Sequence, residues 1–245
     1  MLCEWTEDLN VWLPTSLITL AQDSTLEYIQ ATDTFRGELY VGVDFGKHQD
    51  FSVVSVLGKR GDHLCLVHCH QFHLETSYGA VIGYIKRIQD NWPSIRAIYC
   101  DNTGVGDYIV EDMKKGGLRN VTGVAFTEGS KEEMATALKE SMRKAECPKC
   151  GWKGYVDTFE SEWRTTCPNG CVTEEKNPVN LRPYLHVPFD EALYHELNVE
   201  RFELAKTGKI SFNHPEGTHD DRFWSLAMAV YATQQQKFAT LIRLR

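Results

Sequence analysis

Four aspartates stand at places in the sequence where a carboxylate would be held rigidly beside apolar residues. They are Asp44 and Asp101, which end apolar runs, and the adjacent pair Asp220 and Asp221, which precede one. A single aspartate of this kind commonly caps its own turn, but four of them need another explanation. Converging carboxylates repel one another unless cations lie between them, and oxygen ligands favour Mg²⁺ or Mn²⁺ over zinc. Two such ions about 4 Å apart support in-line attack on a phosphodiester.

Four cysteines form two pairs with the spacing of a different kind of metal site. Two residues separate Cys147 from Cys150, three separate Cys167 from Cys171, and sixteen lie between the pairs. This spacing predicts a tetrahedral zinc ribbon. Because four thiolates leave no open coordination position, the zinc would be structural. The alternative of two disulfides is disfavoured, since no signal peptide precedes the first predicted strand.

Alternating segments of regular structure must position the aspartates. Strands are predicted at about 38–45, 51–58, 63–72, 95–100, 121–126, 184–187 and 209–213, and helices at about 77–91, 107–116, 130–145, 188–208 and 220–237. A capping box of Ser130 and Glu133 would begin the third helix. Three strands followed by alternating helices and strands predict an α/β fold with a mixed sheet. If the first and fourth strands are parallel neighbours, Asp44 and Asp101 lie at the same edge of that sheet.

The two adjacent acids are expected to differ in role. Successive residues of an α-helix are rotated by about 100°. Trp224, Ala227 and Tyr231 mark the face turned to the sheet, and Asp220 projects near the centre of that face. We therefore expect Asp220 to point at the metals, while Asp221 lies beside them, bridging through water or binding only the second ion.

Composition limits the possible classes of function. The chain has 245 residues and 42% hydrophobic content, enough for one sizeable core with an appendage. Its net charge of −8 counts against a nucleic-acid partner unless bound cations cancel part of that charge. No apolar run approaches the length of a membrane span. The sequence has no Gly-x-x-x-x-Gly-Lys-Ser/Thr phosphate loop, so it is not an ATP-driven motor by itself.

Four segments carry a resemblance to a known family. They are residues 41–46 (Val-Gly-Val-Asp-Phe-Gly), 99–106 (Tyr-Cys-Asp-Asn-Thr-Gly-Val-Gly), 208–212 (Gly-Lys-Ile-Ser-Phe) and 219–227 (His-Asp-Asp-Arg-Phe-Trp-Ser-Leu-Ala). In type and order they resemble the RNase H-like superfamily and, within it, the nuclease domain of the viral DNA-packaging terminase large subunit. The resemblance implies an RNase H-like mixed sheet, with an antiparallel hairpin side and parallel strands, flanked by helices and carrying a zinc-ribbon insertion.

The same resemblance implies roles for individual residues. The catalytic ligands of two Mg²⁺ or Mn²⁺ ions would be Asp44, Asp101, Asp220 and Asp221. Asp50 would contact these ligands without binding an ion itself. The expected boundaries are 1–36 for a lead-in from a missing upstream domain, 37–146 and 181–237 for the nuclease core, 147–180 for the zinc ribbon and 238–245 for a tail.

The implied activity is a metal-dependent endonuclease that cuts double-stranded DNA with little sequence specificity during viral genome packaging. We expect an upstream ATPase domain in the same longer chain, the small terminase subunit and the portal as partners. No membrane partner is expected, and the location would be the host-cell cytoplasm.

Three other interpretations stay open on the sequence. A resolvase- or transposase-type nuclease shares the strand-end acids. An ATP-binding protein of the actin and sugar-kinase type also begins with an aspartate and glycine hairpin, but a late pair of acids at a helix start fits a nuclease better. A non-enzymatic scaffold gives no reason for strand-end acids.

Overall fold

The computed structural model describes residues 10–33, 35–46, 48–103, 107–159, 162–163, 165–204 and 208–243. The first nine residues of the predicted lead-in, residues 104–106 of one motif and residues 244–245 of the predicted tail therefore lie outside the described residues. None of the helices in the described ranges is both long and apolar enough to cross a membrane.

Helices and strands alternate along most of the chain after three initial strands. In order they are α1 (Thr15–Ala21), β1 (Glu38–Asp44), β2 (Val53–Arg60), β3 (His63–Gln71), α2 (Tyr78–Asn91), β4 (Ile95–Asp101), α3 (Asp107–Lys115), β5 (Val121–Val124), α4 (Glu128–Arg143), β6 (Lys144–Glu146), β7 (Lys153–Tyr155), β8 (Thr158–Phe159), β9 (Glu162–Trp163), β10 (Arg182–Pro183), β11 (Leu185–His186), α5 (Glu191–Val199), β12 (Arg201–Leu204), β13 (Ile210–Asn213) and α6 (Asp221–Arg243).

A six-stranded mixed sheet forms the centre of the protein, in the order β11-β3-β2-β1-β4-β5. The pairs β1–β2 and β2–β3 are antiparallel, while β1–β4, β4–β5 and β11–β3 are parallel. The predicted mixed α/β sheet is therefore confirmed. Because β1 and β4 are parallel neighbours, their carboxyl ends meet at one edge of the sheet.

Helices cover both faces of this sheet. Leu39, Val41 and Val43 of β1 pack in one apolar cluster with residues of α2 and α3, while Tyr40 packs in a second cluster with residues of α4 and α6. This division follows from the alternation of side chains along a strand. Residues 39–43 are all buried, as expected of a central strand with both faces covered.

Helix α6 approaches β1 unusually closely at Gly42. A Cβ atom at this position would lie 1.9 Å from the backbone oxygen of Ser225 and 2.6 Å from the backbone nitrogen of Ala229. Only a residue without a side chain allows this contact. Ser225 also forms a 2.7 Å hydrogen bond between its hydroxyl and that of Ser55 on β2. The glycine therefore sets the distance between the last helix and the first strand.

Three predicted local features were wrong. The helix predicted over 188–208 ends at Val199, and β12 and β13 form an antiparallel hairpin instead of continuing it. The last helix does not stop near residue 237 but extends to Arg243. The capping box of α4 joins Thr127 to Ser130, not Ser130 to Glu133, so this helix begins earlier than predicted.

The segment that carries the four cysteines, residues 147–180, is called the cysteine segment here, and it leaves and rejoins the core at neighbouring points. Strands β6, β7 and β10 form a small separate sheet, in which Glu146 pairs with Arg182. The imidazole of His63 on β3 lies 3.0 Å from the Glu146 carboxylate and ties the base of the segment to the main sheet. The predicted domain boundaries stay a prediction.

Candidate active site

The sheet and the last helix bring the four predicted aspartates to one cleft. Val43 pairs with Cys100 in the parallel register. The next residues of the two strands, Asp44 and Asp101, therefore lie side by side at the same edge of the sheet. Helix α6 begins at Asp221 above that edge. The resulting cleft has a volume of about 420 Å³. Its lining residues are Asp44, Phe45, Asp50, Asp101, Phe126, Lys131, Phe212, Asn213, His214, Asp220, Asp221 and Trp224.

Asp44 is surrounded by the other three predicted aspartates of the cleft. Burial raises the pKa of its carboxyl group well above the ordinary value, and the charges of Asp221, Asp101 and Asp220 raise it further, in that order. The ammonium of Lys131 acts in the opposite direction. Buried carboxylates that lie close to other acids stay ionised only when a cation binds to them.

Asp221 has a buried carboxylate oxygen without a partner. The residue is 4% exposed, and its Oδ2 has no hydrogen-bond partner. The imidazole of His219 lies 3.8 Å from that oxygen, beyond hydrogen-bonding distance. Burial and the charge of Glu196 raise the pKa of Asp221 to about 7, although the backbone N–H of Phe51 lowers it. A buried acceptor without a donor is unstable unless something such as a cation takes its place.

Asp220 has more partners within the protein. The indole Nε1–H of Trp224 donates a 2.7 Å hydrogen bond to Oδ2, and the His214 imidazole lies 3.7 Å from Oδ1. Asp220 precedes the first residue of α6. The projection of Asp220 near the centre of the sheet-facing side stays a prediction. Of the two acids, Asp221 has the larger electrostatic effect on Asp44.

Asp101 and Asp50 are the other two predicted acids that line the cleft. Thr103 donates two hydrogen bonds to Oδ1 of Asp101, from its backbone N–H at 2.8 Å and its hydroxyl at 2.5 Å. These bonds hold the Asp101 carboxylate through Oδ1, and they do not engage its other oxygen, Oδ2. Asp50 is exposed and contributes to the raised pKa of Asp221. Its predicted supporting role is untested by this geometry.

A buried ion pair fixes the start of α6. Glu196 on α5 accepts a 2.7 Å hydrogen bond from the backbone N–H of Arg222 and pairs with the guanidinium of the same residue. The backbone bond satisfies one of the N–H groups that a helix leaves unpaired in its first turn. Because Arg222 follows Asp221 directly, Glu196 positions the aspartate as well as raising its pKa.

The donor set of the cleft fits hard divalent cations. The predicted ligands offer carboxylate oxygens, which suit Mg²⁺ and Mn²⁺. The orphaned Oδ2 of Asp221 and the mutual repulsion at Asp44 both call for positive charge inside the cleft. The cleft also has one lysine among its lining residues. We therefore consider the cleft a candidate site for divalent metal.

The four predicted cysteines also lie together. One sulfur atom from each of Cys147, Cys150, Cys167 and Cys171 lies within 4.8 Å of every other, an arrangement that could hold a metal ion. Tetrahedral zinc with Zn–S bonds of about 2.3 Å would bring these sulfurs to about 3.8 Å from one another. The sulfurs of Cys150 and Cys167 are already 3.7 Å apart.

The turns around the cysteines have the form of metal knuckles. Gly151 follows Cys150 and Gly170 precedes Cys171, with φ angles of +71° and +66°, a region that favours glycine. A backbone hydrogen bond from Trp152 lowers the pKa of Cys150 to about 6, and the hydrogen bond with Cys150 raises the pKa of Cys171 to about 12.

Sequence reasoning missed four residues near the acids. They are Lys131, Glu196, Glu200 and His214. Glu200 is fully buried beside Asp220, and burial raises its pKa to about 9. Neither glutamate lies at the end of an apolar strand, and Lys131 has the position of an ordinary surface residue in a helix. Their proximity to the cleft depends on tertiary packing, which no local pattern indicates.

Comparison with models of protein families and with curated proteins gave no match. Solved structures of similar fold include large terminases of bacteriophages. The large terminase nuclease from thermophilic phage G20c with bound magnesium has a TM-score of 0.62 and 22% identity, over 91% of this chain and 98% of that chain. The same nuclease with bound cobalt gives 0.60 and 21%, over 91% and 98%.

Two further structures agree. The Thermus phage P74-26 large terminase nuclease domain has a TM-score of 0.59 and 20% identity, over 88% of this chain and 92% of that chain. The HK97 bacteriophage large terminase gives 0.58 and 12%, over 90% of this chain but only 43% of that chain. At these identities the likeness concerns the fold, and this chain has the mixed α/β fold of the large terminase nucleases.

Proposed function

We propose that the chain is a divalent-metal-dependent endonuclease domain that cuts double-stranded DNA with little sequence specificity during viral genome packaging. The observation that carries this proposal is the acidic cleft itself. Four aspartates converge there on a terminase-nuclease fold, and one of them has a buried oxygen without a partner. Neither a scaffold nor a binding module needs such an arrangement, which destabilises the metal-free protein.

The chain's own residues would hold the reacting groups in place. Asp44, Asp101, Asp220 and Asp221 would bind two Mg²⁺ or Mn²⁺ ions, with Asp50 supporting them. When bound, such ions lower the pKa of the attacking water and stabilise the leaving oxygen. In the reaction, the water oxygen forms a bond to phosphorus while the bond from phosphorus to the 3′ oxygen breaks. The water proton passes to solvent, and the leaving 3′ oxygen takes up a proton from solvent. The products are a 5′ phosphate and a 3′ hydroxyl.

We also propose that Cys147, Cys150, Cys167 and Cys171 bind one structural zinc ion. The support is the mutual distance of the four sulfurs and the glycine turns beside them. Elemental analysis of the purified chain should give one zinc per molecule. Cys150→Ser should release it and disorder the cysteine segment, with the core still folded. Four freely reactive thiols in the native protein would refute this zinc site.

The proposed biological setting follows from the similar proteins. The chain spans less than half of the HK97 large terminase. We propose an ATPase domain upstream in the same longer protein, with the small terminase subunit and the portal as partners. The site of action would be the host-cell cytoplasm.

A plasmid-cleavage assay tests the central proposal. The purified chain is incubated with supercoiled plasmid and Mn²⁺, Mg²⁺ or no added metal, and ATP turnover is measured in parallel. We expect nicking and linearisation only with added metal, and no ATP hydrolysis, because the sequence has no phosphate loop. ATP turnover without cleavage under any metal would refute the nuclease and favour an ATP-binding protein.

A further inference from the structure

Lys131 lies on the wall of the acidic cleft in a firmly placed turn of helix. It belongs to the first turn of α4, which begins at Glu128 and is capped by reciprocal hydrogen bonds between Thr127 and Ser130. Its backbone N–H donates a 2.9 Å hydrogen bond to the backbone oxygen of Thr127. The side chain is half-buried and lines the same cleft as the four aspartates.

Two aromatic rings hold the ammonium group of Lys131. Its Nζ atom lies 4.5 Å from the ring centroid of Trp224 and 5.3 Å from that of Phe126. Both distances are within the range of cation–π attraction. Trp224 also donates the hydrogen bond to Asp220, so one indole orients both a cation and an acid of the cleft.

Lys131 does not behave as a simple counter-ion of the acids. Of the ion pairs within 4.0 Å formed by the described part of the chain, none involves Lys131. Its charge still reaches the cleft, because it lowers the pKa values of Asp44 and Glu200. The rings thus keep the ammonium close to the acids without direct pairing. Divalent ions can then occupy the carboxylates while the ammonium stays available to an anion.

A phosphodiester is the anion that this arrangement suits. Its negative charge must approach a cleft lined by aspartates, and a fixed cation in the same cleft offsets that repulsion. During hydrolysis the non-bridging oxygens gain charge, so a positioned donor aimed at them accelerates the reaction.

We propose that Lys131 is a catalytic residue whose ammonium donates a hydrogen bond to a non-bridging oxygen of the scissile phosphate. This inference rests on the proposed nuclease function. Lys131 stays protonated throughout and transfers no proton. The bonds that form and break at phosphorus are those of the hydrolysis described above.

Two substitutions at Lys131 and one matched control test the proposal. Lys131→Met removes the charge but keeps an unbranched side chain against the two rings, and Lys131→Arg keeps the charge. The control is Lys139→Met, on the same helix, where Nζ lies 4.4 Å from the ring centroid of Trp12. Lys139 resembles Lys131 in its aromatic contact but does not line the cleft.

Three measurements separate a phosphate contact from other roles. They are the cleavage rate of a short duplex at saturating Mn²⁺, the affinity for the same duplex with Ca²⁺ in place of Mn²⁺, and the Mn²⁺ affinity without DNA by calorimetry. Lys131→Met should lower the cleavage rate by about 100-fold and weaken duplex binding severalfold. Lys131→Arg should recover most of the rate. Mn²⁺ affinity should be unchanged or tighter in Lys131→Met, because a competing positive charge is gone.

The outcomes decide the proposal in each case. A Lys131→Met rate within threefold of the wild-type rate overturns it. A loss matched by equally weakened Mn²⁺ binding overturns it as well, since Lys131 would then act on the metals. If the wild-type chain cuts no DNA with any metal, the proposed nuclease function fails. In that case the affinity for the duplex alone tests the role of Lys131. Weaker duplex binding by Lys131→Met but not by Lys139→Met would still support a phosphate contact.

Discussion

At the scale of single residues, the cleft carries more negative charge than the folded protein accommodates without a cation. Burial and neighbouring acids raise the pKa of Asp221 to about 7 and that of Glu200 to about 9, and raise that of Asp44 as well. The folded state therefore binds more protons than the unfolded chain at intermediate pH. Metal binding and protonation are two ways of relieving the same repulsion.

This repulsion makes the stability of the metal-free protein depend on pH. A carboxyl group with a raised pKa in the folded state favours folding at low pH, and this stability is lost as pH rises through the folded pKa. For Asp221 and Glu200 the window extends from their ordinary values of 3.8 and 4.5 up to about 7 and 9. We expect a higher melting temperature at pH 5.5 than at pH 8.5 by calorimetry.

Two comparisons test the expected fall in melting temperature between pH 5.5 and pH 8.5. The measurement uses buffer depleted of Mg²⁺ and Mn²⁺ without a chelator, because a chelator would also remove zinc from the cysteine site. Asp221→Asn and Glu200→Gln should each reduce the fall in melting temperature, and added Mn²⁺ should stabilise the wild-type chain most at pH 8.5. A pH-independent difference between wild type and both variants would mean that these groups ionise normally.

The two adjacent acids should differ in importance. Asp221 is the more buried and has the unpartnered oxygen, while Asp220 is held by Trp224. We expect Asp221→Asn to lower the cleavage rate by at least about 100-fold and Asp220→Asn to lower it less. Metal-free Asp221→Asn should melt at the same temperature as the wild type or higher, because one repelling charge is gone. A greater loss in Asp220→Asn would contradict this order.

The positions of Asp44 and Asp101 were predictable because an acid at the end of an apolar run is a local pattern. Their meeting followed from a parallel pairing that the order of elements indicated. The relative importance of Asp220 and Asp221 stays a prediction, because Asp220 precedes the first residue of α6 and a helical projection does not fix its direction. Lys131 could not be found, because only the fold places its turn beside the acids.

At the scale of elements, the contact between β1 and α6 determines the geometry of the cleft. Asp44 ends β1, Asp221 begins α6, and Gly42 sets their separation. Gly42→Ala would force a methyl group against the helix backbone. We expect the free energy of unfolding to fall by about 3 kcal/mol, measured by urea denaturation, and the cleavage rate to fall even where the variant is fully folded.

Gly83→Ala on α2 is the matched control for this substitution. A Cβ at Gly83 would meet nothing within 4 Å, so the change should stabilise the helix by up to about 1 kcal/mol. Cleavage should be unaffected by it. Equal stability of Gly42→Ala and wild type would show that α6 can move away without cost, and the proposed role of the glycine would be wrong.

Element prediction succeeded for the strands of the main sheet and failed at β12. The first four strands span seven to nine residues each and are close to their predicted ranges. Strand β12 has only four residues and follows α5 after a single residue, so the local sequence resembles a continuation of the helix. Its pairing with β13 is a tertiary feature that the local sequence does not indicate.

At the scale of the whole molecule, the net charge of −8 is unusual for a protein that would bind DNA. Part of that charge lies in the cleft and would be cancelled by bound ions. We expect the isolated chain to bind a short duplex more weakly than about 100 μM at physiological salt without divalent ions, as measured by fluorescence anisotropy. Adding Ca²⁺ should strengthen binding at least tenfold.

The salt dependence of binding provides the check. Without divalent ions, the logarithm of the affinity should change little with the logarithm of salt concentration, because few basic residues would displace counterions. Tight binding with a steep salt dependence in the absence of Ca²⁺ would contradict this and would place the main DNA contact on a basic surface away from the cleft.

The packing of the last helix on the first strand also has a consequence for the order of events during folding. Asp44 lies early in the described sequence and Asp221 late, and loop closure between distant segments is slow. A nascent chain that has formed the sheet but not yet docked α6 holds Asp44 and Asp101 without the other two acids. Under the proposed function, a chain in which α6 has not docked would lack two of the four acids and would be harmless to nearby DNA.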